Sequence, residues 1–223
     1  MIIDLELEEK VKNICKRFNI SCVFDFVKEK NPSNNLPYHN WYHACCMVEK
    51  VIEGANYHNL PYRSMRHLAV AALLHDFAHS GGHRNDAANI QIALAGAYAL
   101  ECIRPDRTVA NGIDMSELEE LIKVTEYPYV LDPICIEHRI IRDADLMQGL
   151  RPTWKEMIID NLRQEMSIAL KKEISEQEML VGSHKFLSNI TPLSNWGYDV
   201  MITQEGLSYA IANVTLSINR YEA

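Results

Sequence analysis

Residues 65–77 read Met65-Arg66-His67-Leu68-Ala69-Val70-Ala71-Ala72-Leu73-Leu74-His75-Asp76-Phe77. Alanine and leucine run through this stretch with hardly a polar break, so it predicts a buried central helix rather than an amphipathic surface one. Its C-terminal end carries His75 and Asp76, a polar pair at the edge of an apolar rod.

Upstream, Leu5, Val11, Ile14, Cys15 and Phe18 recur near helical spacing in an acid-rich opening segment. Asn31-Pro32-Ser33-Asn34-Asn35-Leu36-Pro37 reads as a loop that feeds a new helix holding His39 and His43. Downstream, Arg84 to Cys102 is Ala-rich and helical in pattern. Ser116-Glu117-Leu118-Glu119 reads as a capping box that starts a helix toward Thr125, and Pro128 and Pro133 bound the next turn. Glu137 to Leu150 and Trp154 to Val181 read as helices, the second with a mixed-charge, solvent-facing side and Gly182 as its terminator. Thr191 to Gly197 reads as a loop and Gln204 to Tyr221 as the closing helix. No alternating strand pattern and no repeat occurs, which predicts an all-α bundle of roughly eight helices.

The chain has 223 residues, 48% hydrophobic and 23% charged, which suits a single folded domain spanning 1–223. No stretch approaches the roughly 18 apolar residues of a membrane-spanning helix, and the first ten residues alternate acids rather than forming a signal segment, so a cytoplasmic location is expected. A net charge of -8 opposes binding to nucleic-acid polymers. Six cysteines without a CxxC pair suit reduced thiols.

Nine histidines are many for this length, and five cluster as His39 with His43 and as His75, His79 and His83. Residues four apart on a helix share a face, so each pair can point into one small volume. Burying several imidazoles beside the Asp76 carboxylate is costly without a partner, and a divalent metal is the usual compensation for mixed nitrogen and oxygen donors. One more acid is wanted, and Arg142-Asp143-Ala144-Asp145-Leu146 offers two. Two positions apart on a helix differ by about 200° in direction, so only one of Asp143 and Asp145 reaches the metal while the other caps, pairs with Arg142 or orients a ligand.

Several residues carry a plainer reading. His83 and Arg84 suit a solvated turn better than a phosphate site, and Asn85 suits a helix cap. His138 reads as a helix-surface histidine before it reads as an extra metal ligand. Cys45 and Cys46 point apart on a helix and suit buried fillers, while Trp41 and Tyr42 either wall the site or belong to the core. His58, His67 and His184 carry no functional reading.

The ordered set His43, His75-Asp76 and Asp143-Ala144-Asp145-Leu146 resembles the H…HD…D signature of the HD-domain metal-dependent phosphohydrolases. Within that superfamily, Tyr38-His39-Asn40-Trp41-Tyr42-His43-Ala44 is similar to the YHNxxHA motif of cyclic-nucleotide phosphodiesterase catalytic domains. His75-Asp76-Phe77-Ala78-His79-Ser80-Gly81 is similar to their HDxxHPG motif, with Ser80 in place of the proline, and Thr125-Glu126 stands for their Thr-Asp. The resemblance runs from about Tyr38 to Leu146, and their glutamine and aromatic purine clamp has no placed counterpart here.

The resemblance implies a compact helical domain of the HD type in which His43, His75, Asp76 and Asp145 hold a first divalent metal. Asp76 bridges to a second, and Asp145 is favoured over Asp143 because Ala-Asp-Leu aligns with the family's last ligand. It also implies that His39 is the general acid and that His79 stands near the bridging hydroxide or phosphate. The expected activity is metal-dependent hydrolysis of a phosphoester, a phosphodiester foremost, in a nucleotide or similar small phosphorylated metabolite, with one or two ions drawn from Mg, Mn, Zn, Ni, Co or Fe. The alternatives are a nucleotidase or dNTP phosphohydrolase, a di-iron oxygenase that would recruit His79, His83 or His138, and a non-catalytic nucleotide sensor.

Overall fold

Asp4 opens the first helix by accepting the Leu7 N–H, with acids in the first turn and bases in the last as the helix dipole favours. In this computed structural model, which describes residues 4–81, 86–103, 113–204 and 206–222, the elements are helices throughout. They are α1 (Leu5–Arg17), α2 (Ser21–Lys30), α3 (Trp41–Tyr57), α4 (Tyr62–Leu74), α5 (Asp86–Ile103) and α6 (Met115–Lys123). There follow α7 (Ile136–Leu146), α8 (Arg163–Leu170), α9 (Glu176–Leu187), α10 (Asn195–Tyr198) and α11 (Gly206–Glu222). The all-α expectation holds, and the side chains of 101–103 and 221–222 are outside the described set together with His83, Arg84 and Asn85.

Helix α4 is buried at every position from Met65 to Leu74, as its composition requires. It packs on α3, and α1, α2, α5, α6 and α7 close around this pair, while α9 and α11 form a second layer behind it. One continuous apolar core links the two layers, from Leu7 through Leu68 and Ile140 to Val214.

Eleven α-helices among the described residues replace the eight expected. Helix α2 was hidden beside the loop after it, and Trp154 to Val181 is not one helix. A π-helical segment over Lys155–Leu162 leads into α8, which ends on Lys171 in the left-handed region (φ 51°). A new start follows, with Ser175 and Glu178 forming a reciprocal capping box. Gly182 therefore sits inside α9 and terminates nothing. The cap of α6 is Asp114, which accepts the Ser116 and Glu117 N–H groups, not the expected Ser116. Residues 195–198, expected as loop, form α10.

Among the described residues no disulfide forms. Burial pushes the Cys15 thiol up to about 12 and that of Cys46 up to about 11, and Cys45 moves the same way, so these cysteines behave as core fillers. Trp41 donates to Glu8 and packs edge-on to Phe24, and Tyr42 is buried, so both belong to the core. None of the described helices is long and apolar enough to cross a membrane.

Candidate metal centre

Three chain segments deliver the site. In the first, Asn40 caps α3 by accepting the Tyr42 and His43 N–H groups, while its amide donates to the Leu36 and Pro37 carbonyls at 3.1 and 2.8 Å. The double anchorage puts His43 in the first turn of α3 and leaves His39 just outside it, so the two histidines are not a helical pair as expected.

The second segment is the end of α4. His75 is its C-cap, and His79 lies beyond it, so this pair is not helical either. The chain turns through Ala78, whose φ of 57° is uncommon for a residue with a side chain. Asn31 secures the turn by accepting the Ala78 N–H at 2.7 Å, and the Ser33 hydroxyl donates to the Asp76 carbonyl at 3.2 Å. This reversal, rather than helix periodicity, stacks the His79 ring 3.7 Å from that of His39.

The third segment is α7, on which the two acids part company. Asp143 is wholly buried and accepts the Leu193 N–H, the Ser194 N–H and the Ser194 hydroxyl at 2.9, 2.8 and 2.6 Å. Gly197 packs so tightly on that carboxylate that a Cβ has no room there. Asp145 points the other way, toward His43 and His75. Asp143→Ala is therefore expected to destabilise the fold by about 3 kcal/mol, because the Leu193 N–H and the buried Ser194 N–H and hydroxyl lose their acceptor, while metal affinity persists. Denaturant unfolding and a metal titration of the same sample check both halves.

The donor atoms meet. His43 Nε2 lies 3.2 Å from His75 Nε2, 3.2 Å from Asp76 Oδ2 and 3.4 Å from Asp145 Oδ1. His75 Nε2 lies 3.0 Å from Asp76 Oδ2 and 3.9 Å from Asp145 Oδ1. Ligands about 2.0–2.2 Å from one ion stand roughly 3–3.5 Å from each other, so the spacing fits a shared cation. His75 is oriented for it, with Nδ1 donating to the Ala72 carbonyl at 3.0 Å and Nε2 turned to the acids. His43 Nδ1 is buried with no hydrogen-bond partner, so this ring is held only through the nitrogen that faces the carboxylates. Two imidazoles and two carboxylates without a thiolate suit Mg, Mn, Fe, Co, Ni or Zn.

A second group adjoins the first. His39, Asp76 and His79 bring ligand atoms within 4.8 Å of one another, as do His43, His75 and Asp145. Asp76 thus faces both. Burial opposes the Asp76 charge, but the His75, His39 and His43 rings outweigh it and hold this carboxyl well below its usual range. Burial likewise opposes charge on His43, yet Asp145 and Asp76 raise its pKa to about 10, and His75 rises in the same field.

Glu165, on α8 and 2% exposed, escaped the sequence reading. Its Oε2 accepts the Tyr38 and His39 backbone N–H groups at 2.9 and 3.1 Å, and its Oε1 receives His39 Nδ1–H in a short contact. Burial raises its pKa, but His39 and the two backbone donors outweigh this and leave it below normal. Gly81, at φ 82°, lies against the Glu165 side chain and its N–H donates to His79 Nδ1 at 3.0 Å. Asn89 and Asp86 hold the other edge of His79, at 2.9 and 3.7 Å from Nε2.

The remaining residues lie elsewhere. His138 faces Glu120 at 3.8 Å rather than the His43, His75 and Asp145 group. The Thr125 hydroxyl donates to the Ile122 carbonyl. His67 bridges the Arg63 carbonyl and the Asp114 N–H, joining α4 to the start of α6. Glu165→Gln is expected to preserve fold and metal content and to lower turnover about tenfold, because the neutral amide holds the His39 ring less firmly than the carboxylate does. Unchanged turnover speaks against the pairing.

No model of a known protein family matches the chain, and no curated protein matches it.

Proposed function

We propose that this chain is a metal-dependent phosphohydrolase of the HD type, cleaving a phosphoester bond, a phosphodiester foremost, in a nucleotide or similar small phosphorylated metabolite. The observation that carries the reading is the convergence of His43, His75, Asp76 and Asp145 at ligand spacing, with a Glu165-backed histidine beside them. These four residues would hold a divalent ion, with Asp76 standing between it and the His39 and His79 rings. Bound there, such ions lower the pKa of a water and neutralise charge on phosphoryl oxygens.

The side chains supply the rest. Glu165 occupies His39 Nδ1, so a proton passed to the leaving oxygen travels from Nε2, and the same contact fixes the direction in which Nε2 points. His79, whose two ring nitrogens are engaged by the Gly81 N–H on one side and by Asn89 and Asp86 on the other, stacks on His39 and keeps that ring in place. No serine or cysteine nucleophile is needed.

The test is hydrolysis of bis-p-nitrophenyl phosphate with Mn²⁺, Co²⁺, Zn²⁺, Ni²⁺ or Mg²⁺ supplied in turn, followed by a nucleotide panel with product analysis. Turnover dependent on an added ion and suppressed by a chelator is expected. Silence with every metal across the panel refutes the assignment.

A further inference from the structure

Beyond the end of α7 opens a cavity of about 370 Å³, and none of the four candidate metal ligands lines it. Its size falls within the range of small-molecule sites, roughly 300–1,000 Å³. Helix α7 runs past Asp145 into a 3₁₀ turn over Met147–Leu150, which lines the cavity at both ends, and the chain goes straight on to Arg151. Helix α3, which carries His43 in its first turn, supplies Glu49 and Lys50 further along, and Val200, Gln204 and Gly206 complete the lining.

The lining divides by chemistry. Met147, Leu150 and Val200 give an apolar surface, and Met147 is buried. Glu49, Lys50, Arg151 and Gln204 give the polar groups, and their donors outnumber their acceptors. Glu49 has both oxygens engaged, Oε1 by Lys10 at 2.8 Å and Oε2 by Arg151 Nη2 in a short contact. Lys10 and Arg151 outweigh burial and hold this carboxyl below its usual pKa, so it stays ionised. Glu53, which pairs with Lys50 at 2.6 Å, also has both oxygens engaged, since Trp196 Nε1 donates to the other at 3.3 Å. The Gln204 amide donates to Asp199 at 3.4 Å. A guanidinium and an ammonium each carry more N–H donors than one such contact takes up, and Arg151 Nε is buried without a partner. Among the described residues the wall therefore has positive charge and donors to spare, while its carboxylate oxygens are already taken.

We infer that this cavity is a second ligand site, separate from the metal centre, for a small metabolite that carries one carboxylate on an apolar body. The carboxylate sits between Arg151 and Lys50, and the body lies on Met147, Leu150 and Val200. A second negative charge on the ligand would face Glu49, so a monoanion fits better than a dianion. The inference stands whether or not the chain hydrolyses phosphoesters.

The probes are hexanoate, hexan-1-ol and hexylammonium, which share an apolar body and differ in the head group. Each is titrated into the full chain carrying ¹³C at its methionine methyl groups, once in EDTA and once with Mg²⁺. Hexanoate is expected to shift the Met147 methyl signal, leave that of Met65 on α4 in place, and bind at least about tenfold more tightly than hexan-1-ol, the worth of one hydrogen bond between charged groups. Hexylammonium should bind no better than the alcohol. Arg151→Met keeps the apolar contacts and should bring the ratio of acid to alcohol affinity close to one. Where that variant does not fold, Gln204→Glu, at an exposed lining position, adds a negative charge and should weaken hexanoate while leaving the alcohol unchanged. An unmoved Met147 signal, equal affinity for acid and alcohol, tighter binding of hexylammonium than of the alcohol, or a ratio that survives both variants overturns the inference. So does a response confined to the Mg²⁺ sample, because the carboxylate would then sit at the metal centre.

Discussion

Asp76→Ala is expected to remove metal binding and activity together, cutting turnover by more than about 10³-fold, since an ion of this kind contributes several kcal/mol to the transition state. Its carboxylate serves both groups. Its Oδ2 stands 3.2 Å from His43 and 3.0 Å from His75, while the same residue joins His39 and His79 in the second group. The isosteric Asp76→Asn removes the charge but keeps the volume, so it should fail at metal binding with the fold intact, which separates loss of a ligand from loss of packing. Metal content by atomic absorption, read beside turnover, decides the matter, and a variant that keeps a full complement of metal refutes the ligand role.

The same cluster dictates how the metal-free protein answers to pH. His43 has a folded pKa of about 10 against an ordinary 6.5, so its share of stability is present below pH 6.5 and drains away as pH rises toward 10. Asp76 works in the opposite sense, its contribution being present above the usual 3.8 and lost as pH falls. A metal takes the place of the His43 proton, so affinity should climb about tenfold per pH unit between pH 6.5 and 8.5. The drop in melting temperature on chelation should therefore be larger at pH 8.5 than at 6.5.

The parts of the molecule readable in advance are those governed by local rules. The run from Met65 to Leu74 has no polar face to offer solvent, so burial followed from composition alone. The separation of Asp143 from Asp145 followed from the angle between positions two apart on a helix, and Asp143 does turn to the loop at Leu193 and Ser194. What depended on loops misled. His39 with His43, and His75 with His79, were paired on helix spacing, yet each pair has one member off the helix, and a left-handed Ala78 held by Asn31 brings them together. Glu165 left no local trace, because its partners Tyr38 and His39 are more than 120 residues away and its neighbours resemble any mixed-charge helix. The break at Lys171 was equally hidden, since lysine gives no hint of a left-handed backbone. The Ser175 and Glu178 capping box was the one signal that could have found it.

His39→Ala should lower turnover by about 10²- to 10⁴-fold, the usual worth of a positioned general acid, while leaving metal content unchanged. The separation is expected because His39 is not among the donors around His43. Its Nδ1 is committed to Glu165, and its place outside α3 is fixed by backbone bonds from Tyr38 and His39 that the alanine variant retains. A role limited to holding the loop predicts a different pattern, in which His39→Gln, similar in length and able to hydrogen-bond Glu165, restores activity. A proton donor cannot be replaced that way. The leaving group gives a further readout. With p-nitrophenolate, which departs without a proton, the loss in His39→Ala should shrink to a few-fold, whereas an alkyl ester should show the full deficit. Equal losses on both esters would mean that His39 does not protonate the departing oxygen, and the Glu165 pair would then have to be read as an anchor for the chain entering α3.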